Sequence, residues 1–506
     1  MRVCTFIRFA ALLTCLAAFP SSGRTQDQYA MGDLGQTVTI SEATFRQMNE
    51  DIQALKASFA ENKKDEKKEE WADTSGEKWT VKWGGRVHMD AVNFAQQNLV
   101  SKQAMGAAIP AAAGGPLASY DEQNYWQVRR LRFEAEGEGY GVFYWRTEVD
   151  FQPIIPQDAQ SSGAGGGGLT TGAGYVNMRD VYMGIKELPF FGAVQIGNYK
   201  TPFSLEELTG DSVITFMERG MFNTAFVPSR QLGICSFNVS ASESVTWAYG
   251  VFFDNTDQTT KMRASNNEGC QFVSRASWLP YYDEPSDGRY LLHTGIGYRY
   301  EDRYSTPTAA GAPTQPNIIF RSRPEDNGEE RTVSTGAIDG NDINYLDLEL
   351  AAVYGSLSLQ GELAGSTMTV ASTGLARTKG NVHPYYNGGY LMASYFLTGE
   401  SRPYKKSRGV FDRVTPLENF WCMRDAGCGT GAWELVGRWS WVDLSGTNFA
   451  TSGYQNDFTG GVNWYLNRNM KMMFEYIHAE TDYTNPRPAG KLGTLDMLGC
   501  RAQFDW

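Results

Sequence analysis

The sequence predicts an all-β fold: a sixteen-stranded antiparallel transmembrane β-barrel with an N-terminal periplasmic coiled-coil helix. Three observations carry that prediction. From Trp79 onward apolar and polar residues alternate with period two in segments of about ten residues. The gaps between those segments alternate between long and short. The chain also opens with the parts of an export signal, while no apolar run of about 18 residues follows it, which excludes a transmembrane helix.

Taken in order, residues 1–23 read as a signal peptide. Arg2 and Arg8 flank the start of an apolar run from Phe9 to Phe19, and Ser21, Ser22 and Gly23 supply small residues for cleavage. Residues 24–78 form a coiled-coil segment and spacer. Val38, Phe45, Ile52 and Phe59 recur every seven residues, Met48 and Leu55 fill the second seam, and the charged run at 61–70 cannot bury a core. Residues 79–506 form the barrel.

The last ten residues show the alternation best: Leu498, Cys500, Ala502, Phe504 and Trp506 share one face, Gly499, Arg501, Gln503 and Asp505 the other. Strands are placed near 79–96, 124–138, 141–152, 175–187, 191–199, 231–242, 245–254, 270–279, 289–300, 343–353, 356–367, 386–397, 432–443, 455–466, 470–481 and 495–506. An amphipathic strand suits a soluble sandwich as well as a lipid-facing barrel. Aromatics near the strand ends, export, and long gaps falling on one side decide for the barrel. The 398–431 segment is the exception, being long on the short-turn side.

The 45 basic and 57 acidic residues leave a net charge of −12, which excludes a general nucleic-acid binder but not a local field for small anions. His88, His293, His383 and His478 are scattered, so no metal site is expected, nor any cofactor. No catalytic spacing appears, and the chain is not expected to be an enzyme. Cys422 and Cys428, in a short Gly-rich loop, are the disulfide candidates.

Several segments together resemble the phosphate-selective porin O and P family. They are WQVRRLRFEAEGEGYGVFYWRTEVDF at 126–151, VNMRDVYMGIKELPFFGAVQIGNYKTPFSLEEL at 176–208, FMERG at 216–220, PSRQLG at 228–233, RSRPE at 321–325, YFLTGESRPY at 395–404, GAWELVGRWSWVDL at 431–444 and NWYLNRNMKMM at 463–473. The resemblance runs from Trp79 to Trp506. It implies a trimeric outer-membrane channel for small hydrophilic solutes, including inorganic anions such as phosphate, in a Gram-negative type envelope. It also implies a constriction loop at 200–230, folded inward between the fifth and sixth strands. The terminal Phe504 and Trp506 resemble the assembly signal of such barrels.

Alternation points Arg130, Arg132, Arg146, Arg299, Arg438, Lys471 and Arg501 into the lumen, and Lys200, Arg219 and Arg230 fall in the constriction loop. A guanidinium fork suits a phosphate. The same alternation points Glu134, Glu136, Glu148, Asp150, Asp347, Glu349, Glu362, Glu434 and Glu475 inward, so these cations either guide anions or brace the wall. Two rival readings accompany the porin: a structural outer-membrane anchor tethered through its coiled coil, with a plugged or unselective lumen, and a lipid-hydrolysing barrel enzyme.

Overall fold

The computed structural model describes residues 79–97, 124–151, 177–253, 270–302, 306–307, 313–314, 317–327, 331–370, 378–422, 428–449, 452–483 and 492–506. The signal peptide and the heptad segment at 37–60 lie outside the described residues. The barrel strands are β1 (Trp79–Gln97), β2 (Tyr125–Gly139), β3 (Phe143–Asp150), β4 (Asn177–Leu188), β5 (Gly192–Lys200), β6 (Arg230–Val239), β7 (Val245–Phe253) and β8 (Cys270–Tyr282). They continue as β9 (Tyr290–Asp302), β10 (Ile338–Tyr354), β11 (Leu357–Val370), β12 (Tyr385–Phe396), β13 (Ala432–Asp443), β14 (Gly453–Asn467), β15 (Met470–Tyr483) and β16 (Leu492–Asp505).

Each strand pairs antiparallel with the next, from β1 with β2 to β15 with β16. β16 pairs antiparallel with β1, Arg86 opposite Asp505, so the sheet closes and no edge is left unpaired. All sixteen sequence-placed strands are present. The face that carries the charges is the buried one: Arg501 is 0% exposed, while Leu498 is 51% and Phe504 44% exposed on the opposite face. That inversion is what a barrel with an apolar outside and a polar lumen requires.

The termini of the barrel and its short turns, such as 140–142, 189–191 and 355–356, lie at one end. There the outer face carries Tyr140, Phe143, Phe190, Phe191, Tyr354, Tyr395, Phe504 and Trp506, all exposed, as an interfacial aromatic girdle does. The 398–431 segment at this end turns back onto lumen-facing side chains. Arg402 donates to Gln360 of β11 (2.6 Å), Tyr404 meets His293 of β9 (2.7 Å), and Arg413 pairs with Asp505 of β16 (3.0 Å). Within it, a short ribbon sets Cys422 opposite Cys428 in backbone register.

Closure is tight at the seam. Trp506 exchanges backbone hydrogen bonds with Gly85 (3.1 and 3.2 Å). A Cβ on Gly85 would fall 2.2 Å from the Trp506 ring and 2.7 Å from the Arg132 carbonyl. Gly85→Val therefore obstructs the seam from both sides. The wild type is expected to show an electrophoretic shift between boiled and unboiled barrel and the variant to lose it; an unchanged shift in the variant would contradict this reading of the seam.

Candidate functional site: the lumen constriction

Residues 201–229, between β5 and β6, fold into the barrel and carry two short helices, α1 (Leu205–Leu208) and α2 (Met221–Phe226). The loop enters where the wall is flattened: a Cβ on Gly297 of β9 would lie 2.1 Å from the Phe203 carbonyl oxygen. Ser204 caps α1, accepting from Glu207 N (3.3 Å). Glu362 of β11 reinforces the cap, accepting from Ser204 Oγ (2.7 Å), Leu205 N (2.9 Å) and Glu206 N (2.8 Å). Tyr390 donates to the same carboxylate (2.6 Å). α2 is the apolar anchor. Phe222 packs on Tyr390, ring centroids 5.4 Å apart, and Phe226 packs on Phe320 (5.6 Å).

The far wall holds the rest of the loop through its backbone. Asn463 of β14 donates to Thr215 O (2.7 Å), Lys471 of β15 to Ile214 O (2.9 Å) and Gln503 of β16 to Ser212 O (2.8 Å). Glu475 accepts from Met217 N (2.7 Å), Arg438 donates to Glu218 O (2.9 Å), Arg299 of β9 to Phe226 O (3.2 Å), and Arg501 to Met217 O. Arg299 also stacks over Tyr345, 3.5 Å from its centroid. The loop thus runs across the lumen, tied to both sides.

A lattice of ion pairs links loop and wall. Arg132 meets Asp150 (2.9 Å), Glu148 (3.2 Å) and the loop's Asp211 (2.7 Å). Arg130 lies 3.3 Å from Asp211. Arg230 pairs with Asp180 (2.9 Å) and Glu148 (3.4 Å), and Arg146 with Glu134 (2.6 Å) and Glu148 (3.4 Å). With Arg86 at 2.8 Å, four guanidiniums surround the fully buried Glu148. Arg438 pairs with Glu325 (2.5 Å) and donates to the Glu206 carboxyl (3.2 Å). Arg501 binds Asp90 through a two-point fork (2.7 Å each) and reaches the loop's Glu218 (2.8 Å).

Within the loop, Arg219 donates to the carbonyls of Glu206 (3.0 Å), Glu207 (3.2 Å) and Thr209 (3.1 Å) and pairs with Asp211 (2.7 Å), closing the C-terminal end of α1. Lys200 donates to Glu207 O (2.6 Å) and lies 3.5 Å from Asp211. Burial pushes Asp211 up, but Lys200, Arg130, Arg219 and Arg132 together hold it well below the usual carboxylate range. Glu218 is likewise held low against burial by Arg129, Arg130 and Arg501.

The sequence-selected cations therefore converge on one region, each with carboxylates or carbonyls already around it. Strict alternation missed Arg129. Register passes from His88 opposite Arg130 to Met89 opposite Val128, a bulge that leaves Arg129 over. Arg129 then reaches Glu218 with a fork of 2.7 and 3.0 Å. The adjacent arginines at 129 and 130 were the available signal, since alternation admits only one of them to the lumen. Alternation also gave no hint of Glu325, because it sits in the segment between β9 and β10. Residues 317–327 of that segment fold inward too, and Glu325 also accepts from Ser440 (2.5 Å) and Thr459 (2.6 Å).

Residues 115–506 match the family model described as phosphate-selective porin O and P. The chain belongs to this family. It is an outer-membrane porin, a channel of the Gram-negative outer membrane. The match starts at residue 115, so β1 completes the barrel from outside the matched span. The chain is 26% identical over 390 residues to an uncharacterized protein of Caulobacter vibrioides, covering 75% of this chain and 68% of that one. It is 25% identical over 314 residues to Porin O of Pseudomonas aeruginosa, covering 57% of this chain and 65% of that one. Among solved structures, the outer membrane channel DcaP of Acinetobacter baumannii is similar at a TM-score of 0.48 and 9% identity, covering 85% of this chain and 99% of that chain.

Two outcomes follow. Arg501→Ala strands the buried Asp90, and breaking a buried pair costs about 3–5 kcal/mol. Urea unfolding of the variant barrel in detergent is expected to show a loss of that order. Glu206 supplies a pH test. Burial, with Glu362 nearby and against the pull of Arg438, pushes its carboxyl from 4.5 up to about 8. Folding thus takes up a proton at Glu206. Its contribution is complete below about pH 4.5, declines as pH rises, and is gone above about pH 8. The difference in stability between wild type and Glu206→Gln should track that window and flatten outside it.

Proposed function

We propose that the porin is a passive diffusion channel for small hydrophilic solutes, inorganic anions such as phosphate among them, with only weak preference for anions. The observation that carries this reading is the engagement of the constriction's cations, Arg219 in the loop and Lys200 and Arg230 at the ends of β5 and β6 that flank it. Lys200, Arg219 and Arg230 sit against Asp211, Glu207, Asp180 and Glu148 and do not present bare charge to the lumen. A solute anion must compete with those carboxylates, so its binding is weak enough for release. Arg86, Arg130, Arg132, Arg146, Arg299, Arg438, Lys471 and Arg501 brace the wall and loop by the same argument.

The remaining parts of the proposal concern export and assembly. Residues 1–23 direct export and Phe504 with Trp506 guide assembly into the lipid. The Cys422–Cys428 pair forms a disulfide in an oxidising compartment. The heptad at Val38, Phe45, Ile52 and Phe59 holds three barrels together as a homotrimer.

Reversal potential in a salt gradient, measured with conductance on single channels, tests the pore. Arg219→Ala is expected to loosen the loop, raising conductance severalfold or less while selectivity barely moves. A sharp fall in anion permeability at unchanged conductance would instead make Arg219 an anion-binding residue. A wild-type barrel with no conductance would favour the structural-anchor reading.

A further inference from the structure

We propose that Asp347, Glu349 and Glu362 form a Ca2+ site in the lumen wall, beneath the start of the constriction loop. The inference is independent of which solute the channel passes. The three side chains project inward from β10 and β11, and an oxygen from each lies within 4.8 Å of the others. All three are buried, Asp347 at 0%, Glu349 at 4% and Glu362 at 2% exposure.

Two features of the trio point to a cation. The first is Asp347 itself. Neither of its oxygens accepts a hydrogen bond from any described residue, although the side chain is fully enclosed and aimed at the other two carboxylates. A buried carboxylate without a donor is costly, and the cost falls when a cation or a proton arrives. The second is the charge balance. Glu349 is held by Arg275 through a fork of 2.7 and 2.8 Å and by His293 at 3.0 Å. Glu362 accepts only from neutral groups: Ser204, Tyr390 and two backbone amides. Among the described residues, Arg275 is the one permanently cationic side chain in ion-pair contact with the trio. Three carboxylates against one guanidinium leave a deficit of two charges, which a divalent cation fills.

The donors are hard oxygens, which select Ca2+ or Mg2+ over softer metals. Ca2+ takes oxygens at about 2.3–2.6 Å in irregular arrangements, so opposed ligands stand up to about 5 Å apart. Mg2+ demands a tighter octahedron and gives up its waters reluctantly, which an enclosed trio does not favour. Because Glu362 also receives Ser204 and the first amides of α1, the ion would hold the root of the constriction loop to the wall.

Asp347→Asn tests the site by removing one carboxylate charge from the trio while keeping the size of the side chain. Full-length porin and the variant, both folded in detergent, are equilibrated with CaCl2 in dialysis and their bound calcium is compared. The expected result is one Ca2+ per chain more in the wild type; sites elsewhere on the barrel cancel in the difference. Equal binding overturns the proposal and assigns Asp347 a proton instead. Should the variant fail to fold, wild type alone decides. An enclosed ion survives brief passage over chelating resin, so elemental analysis should find one retained calcium per chain, and finding none overturns the site.

Discussion

Glu148 explains much of how this lumen is built. It stands at 0% exposure with Arg86, Arg132, Arg146 and Arg230 converging on it from four different strands. A barrel turned apolar-side out must place its charged residues inside, and a charge taken from water is tolerated only when opposite charge and hydrogen bonds surround it. Here that requirement is met by interleaving arginines with carboxylates, and the loop 201–229 is drawn into the same lattice. Asp211 and Glu218 extend it from the wall into the loop, where Arg132 and Arg501 take them up. The constriction is thus held by the wall's own solution to burying charge.

This arrangement bears on selectivity. The net charge of −12 is a property of the whole chain, and screening limits the reach of exposed charges to about 8–10 Å. What a solute meets is the local lattice, in which Lys200, Arg219 and Arg230 already have partners. A family that carries phosphate selectivity in its description can therefore hold a member whose constriction cations are largely spoken for.

The sixteen strands were legible because a lipid-facing strand writes its two faces directly into alternate residues, as Leu498 to Trp506 shows. The inward loop at 201–229 was legible only from a resemblance. The lattice was half legible. Alternation gave both the cations and the carboxylates that face the lumen, but pairing across the barrel, such as Arg501 with Asp90 or Arg438 with Glu325, joins residues hundreds of positions apart or in an irregular segment. Arg129 was hidden by a bulge, which shifts phase without a clear sequence mark. The 398–431 segment showed only its length, because its inward turn depends on His293, Gln360 and Asp505 from three distant strands.

Wall and loop are joined through charge. A double-mutant cycle on Arg132 and Asp211, which meet at 2.7 Å across that junction, tests it most directly. Unfolding free energies of Arg132→Met, Asp211→Asn and the double variant are predicted to depart from additivity by more than about 1 kcal/mol, the double variant losing less than the sum. Additive losses would show that the two side chains are merely neighbours and that something else holds the loop in the lumen.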